Sequence, residues 1–463
     1  MPSPRLLPRA TLRLHALPIG VLGLLAVQVV APRTARAGEP CAAAPGASAP
    51  TAPTPAACAE LAYNAARAFV AAGHAPRAVV AYRAVVAFDP RAPLAKSARL
   101  ELGRLFQTIA ELEAAADELE TYARLYPAEP EAPDALADAV VLRVGAGDAA
   151  SARRGAELFH TLYARANPGR AAELRLGAAS AYAARDDWPG VVATLGGHDA
   201  LFARAAVDLR VRARGLLARA HAHGSPRERA TAAREYEAIV AEWGDGEAAA
   251  KNLAHAYPRE DEGARLRRLA RALVTVGEAT YQAAEEARAA DVDSLPPPVY
   301  AGPLRPTAIR AHLDTRVRDW LTKKRLAIEK TEELYKRVLL VRPVSPPRWV
   351  VDASARVAGM WGGFGAELRR VVPEAAMHLT TADGVAFIQL VYAVADPIYG
   401  RARPAYRTCA QLSTKYAFVD ELSRGCDAWL VKMQLLPRLD ELLPAAQPES
   451  SPVVPSLPAR DTP

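Results

Sequence analysis

Apolar residues recur along most of this chain at intervals of three and four, the spacing that keeps one face of an α-helix turned towards a core. The pattern is cleanest over Lys96–Pro127, which reads KSARLELGRLFQTIAELEAAADELETYARLYP. Leu102, Gly103 and Phe106 share a face of a first predicted helix, and Ala115, Leu119 and Tyr122 share a face of a second. One unit earlier, Ala66, Phe69, Ala78, Tyr82 and Val85 lead to Pro90 at nearly the same offsets, and Pro90 lies 37 residues before Pro127. A unit of helix, turn and helix at this period buries its apolar face by stacking on its neighbours.

A looser third copy follows, with a helix from Ala132 to Val144, a break after Gly145, and a second stretch carrying Phe159 and Tyr163 to Pro168. A fourth runs through Leu176, Gly177 and Tyr182 to a turn at Asp186–Trp188, and a fifth includes Ser225–Pro226, a helix-start signal. Residues 57–245 are therefore expected to be helical-hairpin repeats. Residues 246–294 are expected to continue them as a long helix, with Leu266, Leu269, Leu273, Val276, Thr280 and Tyr281 on its buried side. The prolines of residues 295–306, LPPPVYAGPLRP, cannot be helical and mark a boundary. A C-terminal helical region is expected over 307–443, beginning with a helix whose mixed charges, Lys323, Lys324 and Lys330 among them, read as a solvated face.

The 37-residue unit resembles the tetratricopeptide repeat. In that family a small residue opposite an aromatic lets the paired helices approach closely, and Gly103 with Phe106 and Ala66 with Phe69 fit those places. Ala78, Tyr82 and Pro90, and Ala115, Leu119 and Pro127, match the second helix, while Ala62 and Arg99 stand where the family usually has a tryptophan. The resemblance implies an all-α, helical-hairpin solenoid that binds another protein or a peptide segment in a concave groove. The groove residues it implies are Arg67 and Arg104, each one place after the small residue, with Asn64 and Gln107 on the same faces. Guanidinium forks would suit carboxylates on a partner. Yet 50 of the 58 basic residues are arginine, so two aligned arginines also arise from composition alone.

Composition supports an all-α reading: 51% of the 463 residues are hydrophobic but only 6% aromatic, and alanine makes up the excess. The first 37 residues read as a cleaved export signal. Arg5, Arg9 and Arg13 precede an apolar core interrupted by Pro18, Gly20, Gly23 and Gln28, and Ala35-Arg36-Ala37 offers a cleavage site. No other stretch is long and apolar enough to span a membrane. Residues 38–56 and 444–463, rich in Pro and Ala, read as a disordered linker and tail. Without the signal's five arginines the formal charge falls from +7 to +2, which removes the charge argument for nucleic acid. Export would place the chain in the periplasm of a bacterium with a GC-rich genome.

Four cysteines fit such an oxidising compartment. Cys409 and Cys426 are expected to pair across two helices joined near Phe418–Val419; Cys41 with Cys58, at the same separation of 17, is a weaker pairing. No spacing suits zinc. The cluster GMWGGFG at Gly359–Gly365 lacks the Lys-Ser/Thr of a phosphate loop and reads as close helix packing around a turn. His221 and His223 alternate in a way that puts their rings on different helix faces, and no GxSxG turn is present. No catalytic, cofactor or metal residue is therefore assigned. The segment WVVDASARVAGMW with the cysteines of YRTCAQ and RGCDAWL resembles periplasmic repeat proteins of myxobacterial gliding-motility machinery. The expectation is a non-catalytic scaffold for a cell-envelope complex. Two alternatives stay open: an outer-membrane or cell-wall assembly factor, and an envelope enzyme with its site in the C-terminal half.

Overall fold

The computed structural model describes residues 54–90, 92–303, 305–371 and 382–432. The expected signal segment, Cys41, nearly all of the 38–56 linker and the 444–463 tail lie outside them. The described residues are all-α, with no strand. The helices are α1 Pro55–Ala71, α2 Ala75–Phe88, α3 Pro93–Thr108, α4 Leu112–Leu125, α5 Ala132–Gly145, α6 Ala149–Tyr163, α7 Pro168–Ala183, α8 Trp188–Leu195, α9 Asp199–Ala203, α10 Val207–Ala222, α11 Pro226–Trp243 and α12 Gly246–Ala256. After them come α13 Glu262–Ala287, α14 Pro306–His312, α15 Arg318–Leu339, α16 Pro347–Arg370, α17 Ala382–Tyr416 and α18 Glu421–Lys432. No described helix is long and apolar enough to cross a membrane.

The described residues divide into two compact units, one up to residue 98 and one from residue 99 onward. In the first, α1 begins inside the stretch read as linker, because Thr54 caps it by accepting from the Ala57 N–H and Pro55 occupies its first position, where no N–H is needed. Ala59, Ala62 and Ala66 of α1 and Ala78, Tyr82 and Val85 of α2 are buried, and Tyr63 meets Tyr82 edge to face at 5.8 Å.

One turn closes four hairpins. The N–H of His74 donates to the Phe69 carbonyl, Glu111 to Phe106, Asp148 to Arg143 and Asp187 to Tyr182, at 2.8–3.1 Å. The residue before each donor has positive φ: Gly73, Ala110, Gly147 and Asp186, at 73°, 61°, 77° and 55°. This is a helix C-cap in the left-handed region, and it satisfies carbonyls the helix leaves open. In the later two copies Asp148 and Asp187 then cap the next helix through the Ser151 and Gly190 N–H groups.

Within the second unit, α5, α7, α10 and α13 pack in succession, and α4, α6, α8 and α11 return between or behind them. Gly103 allows α3 to approach α4, since a Cβ there would lie 2.7 Å from Leu119. Residues 246–294 differ from expectation: they hold two helices, α12 and α13, followed by a π-helical turn at Arg288–Asp293. Leu266 is exposed there, whereas Leu273, Val276, Thr280 and Tyr281 are buried.

In the C-terminal part, α16 is the centre against which α13, α15, α17 and α18 pack. GMWGGFG is not at a turn but in the middle of α16, because Met360, Trp361, Phe364 and Leu368 anchor that face in the core. Lys324 is not solvated: it sits in the buried stripe of α15 with Trp320, Ile328 and Tyr335. Cys409 and Cys426 are bonded, joining α17 to α18.

Candidate protein-binding face

Successive first helices of the repeat turn a row of charged side chains to one side. On α3, Arg104 is exposed and pairs with Glu101 at 3.0 Å. Gln107 is half-buried and hydrogen-bonds Asp138 of α5. Burial pushes the Asp138 carboxyl above its usual range, against the pull of Arg170. On α7, Arg170 holds Glu173 at 2.9 Å, and Glu173 in turn accepts from Arg268 of α13 at 2.8 Å. In the first unit, Asn64 and Arg67 are both exposed on α1.

The row ends on a denser cluster that the sequence did not reveal. Asp208, in the first turn of α10, is fully buried. The Tyr257 hydroxyl donates to its Oδ1 at 3.1 Å, while Oδ2 has no hydrogen bond among the described residues and meets Arg268 Nη1 at 3.5 Å. The Arg268 guanidinium lies 4.0 Å over the Tyr257 ring and also binds Glu260 at 2.7 Å. Burial drives the Asp208 carboxyl up and the Tyr257 hydroxyl well above its ordinary range. For Arg268 burial works the other way, but Glu260 and Glu173 outweigh it and fix the charge.

Arg212 stands one helical turn beyond Asp208 and is half-buried. Its guanidinium makes no hydrogen bond or ion pair among the described residues, and burial, then Arg271, depress its pKa against the pull of Asp208 and Glu173. Exposed Arg271 is likewise without an ion pair there. Asp208 and Glu173 offset only part of the cost of burying Arg212, so a half-buried cation beside two others gains from a further anion. The cluster can therefore accept a carboxylate or another oxyanion, with Tyr257 and Asp208 fixing where Arg268 stands.

Other polar groups are structural. Arg175 is fully buried and donates to the Thr194 carbonyl at 3.0 Å, tying α7 to α8. His221 and His223 do not converge: the first pairs with Glu235 at 3.0 Å and the second stacks on Trp188 at 4.5 Å.

No protein-family model and no curated protein matches the sequence. Solved structures that resemble it include Naa15/Naa10 bound to HypK-THB, at 13% identity over 80% of this chain and a TM-score of 0.31. This chain spans 62% of the length of that one. The tetratricopeptide-repeat domain of P58(IPK) matches at 15% identity, covering 82% of this chain and 99% of its own, with a TM-score of 0.20. A circular tandem repeat protein matches at 13%, covering 82% and 88%, with a TM-score of 0.14. Superpositions this loose carry no argument, and the all-α helical-hairpin assignment rests on the chain's own helices and turns.

Proposed function

We propose that the protein is a non-catalytic scaffold that works outside the cytoplasm, binding envelope proteins or peptide segments of them on the charged face of its helical repeat. The observation that carries this reading is Arg212, a half-buried guanidinium with no hydrogen bond or ion pair among the described residues, whose pKa burial, Arg271 and Arg268 depress against the pull of Asp208 and Glu173. A partner carboxylate, from a side chain or a chain terminus, would complete that cluster with planar, two-point hydrogen bonds. The export signal read in residues 1–37 and the Cys409–Cys426 disulfide support an oxidising compartment. Resemblance of the C-terminal segment to myxobacterial gliding-motility repeat proteins favours an envelope-spanning complex over an outer-membrane or cell-wall assembly factor.

Fractionating cells that express the full chain tests the compartment: the expected product is periplasmic and begins at Gly38. Cross-linking in intact cells should then capture specific envelope proteins. A cytoplasmic, unprocessed chain would refute the location, and capture of nothing above background would refute the scaffold.

A further inference from the structure

A cleft in the C-terminal part, distinct from the charged face, has the make-up of a ligand site. Its volume is about 490 Å³, within the range of small-molecule pockets. It is walled by α15, α16, α18 and the π-helical turn Arg288–Asp293, a kind of irregularity that concentrates at functional sites.

The glycines of α16 fall into two sets. At Gly362 and Gly365 a Cβ would come within 2.8 Å of the Tyr406 and Tyr399 rings, so close packing explains them. At Gly359 and Gly363, one turn apart, a Cβ would meet nothing within 4 Å, and the same holds at Gly425 of α18. All three line the cleft. Each weakens its helix relative to alanine without relieving any contact. What they provide is open space.

The charges around that space are also uneven. Lys324 is spent: its ammonium donates to the Val292 and Leu295 carbonyls at 2.8 and 3.1 Å and pairs with Glu367 at 3.1 Å. Arg288 is held by Glu285 and Asp293. Arg356, in contrast, is anchored only through Nε, to the Tyr281 hydroxyl at 3.0 Å and Glu285 at 2.9 Å. Its two terminal amino groups have no hydrogen bond among the described residues. Glu421, in the first turn of α18, is exposed and has no ion pair there. Both residues line the cleft.

We infer that this cleft binds a small zwitterion, a free amino acid or a short peptide, whose carboxylate meets the Arg356 fork and whose ammonium meets Glu421. A ligand carrying only a carboxylate would face Glu421 unpaired, and one carrying only an ammonium would face Arg356. Cys426 lines the same cleft, so its bond to Cys409 holds the α18 wall in place.

Calorimetry on the oxidised full chain tests this with glycine, alanine, lysine, glutamate and alanyl-alanine, against acetate and ethylamine at equal ionic strength. At least one zwitterion should bind with a Kd below about 1 mM, and acetate and ethylamine at least tenfold more weakly. Gly363→Leu, whose side chain enters open space, and Glu421→Gln, which breaks no contact, should each weaken binding about tenfold or more. Melting curves of both variants should match the wild type. The inference is overturned if no zwitterion binds, if acetate binds as tightly as the best one, or if Gly363→Leu folds and binds normally.

Discussion

The Arg268 guanidinium lies 4.0 Å over the ring of Tyr257, and the hydroxyl of that ring donates to the fully buried Asp208. One aromatic residue thus positions a cation by its face and satisfies an anion by its edge. Tyr257→Phe keeps the face and removes the hydroxyl donor, leaving the buried Asp208 one hydrogen bond short. The expected loss is about 1–3 kcal/mol in urea unfolding; an unchanged midpoint would mean that Asp208 finds another donor.

The hairpin turns predict opposite effects of exchanging two small residues. Ala110 takes the left-handed conformation that Gly73 and Gly147 take in sister turns. Ala110→Gly should stabilise by about 1 kcal/mol, offset in part by chain entropy, and Gly147→Ala should destabilise by a similar amount. Thermal unfolding of the two variants side by side reads the sign directly.

Two helix glycines should likewise respond in opposite directions. At Gly103 an added Cβ would run into Leu119 at 2.7 Å, so Gly103→Ala should cost about 1–3 kcal/mol. At Gly359 it would meet nothing, so Gly359→Ala should gain up to about 1 kcal/mol from helix propensity alone. Denaturant midpoints decide both.

Burial, with a hydrogen bond and repulsion from Asp420, pushes the Asp352 carboxyl up to about 7, against Arg348 and Arg356. The folded chain therefore keeps a proton that the unfolded chain gives up near pH 4. Between those values the native state binds more protons, so this group's contribution to stability falls as pH rises and is fully lost above about pH 7. Asp352→Asn should raise the Tm relative to wild type more at about pH 8 than at about pH 5. An equal shift at both would contradict a proton held in the folded state.

Much of this architecture was legible in the chain itself. The stripe of Leu102, Gly103 and Phe106 gave the hairpin, and the break after Gly145 and the stretch Asp186–Trp188 marked two of the turns. Ala110 hid the same turn, because the flanking helices impose a left-handed conformation that alanine does not favour. Lys324 looked like its solvated neighbour Lys323, although it lies four residues from both Trp320 and Ile328, a spacing that could have shown its burial. The Asp208 cluster had no comparable signal: Tyr257 and Arg268 lie 49 and 60 positions further along, and only the stacking of α10 on α13 brings them together. For Arg67 and Arg104, exposure is visible but a role is not, since Arg104 already pairs with Glu101.

The most direct test of the scaffold is cross-linked capture from intact cells, comparing wild type with the Arg212→Met/Arg271→Met double variant and identifying partners by mass spectrometry. Removing a half-buried cation that makes no ion pair among the described residues should leave the fold at least nearly as stable. The account predicts that specific envelope proteins captured by the wild type are lost from a variant with an unchanged melting curve. Equal capture by both would contradict the claim that this charged face is where partners bind.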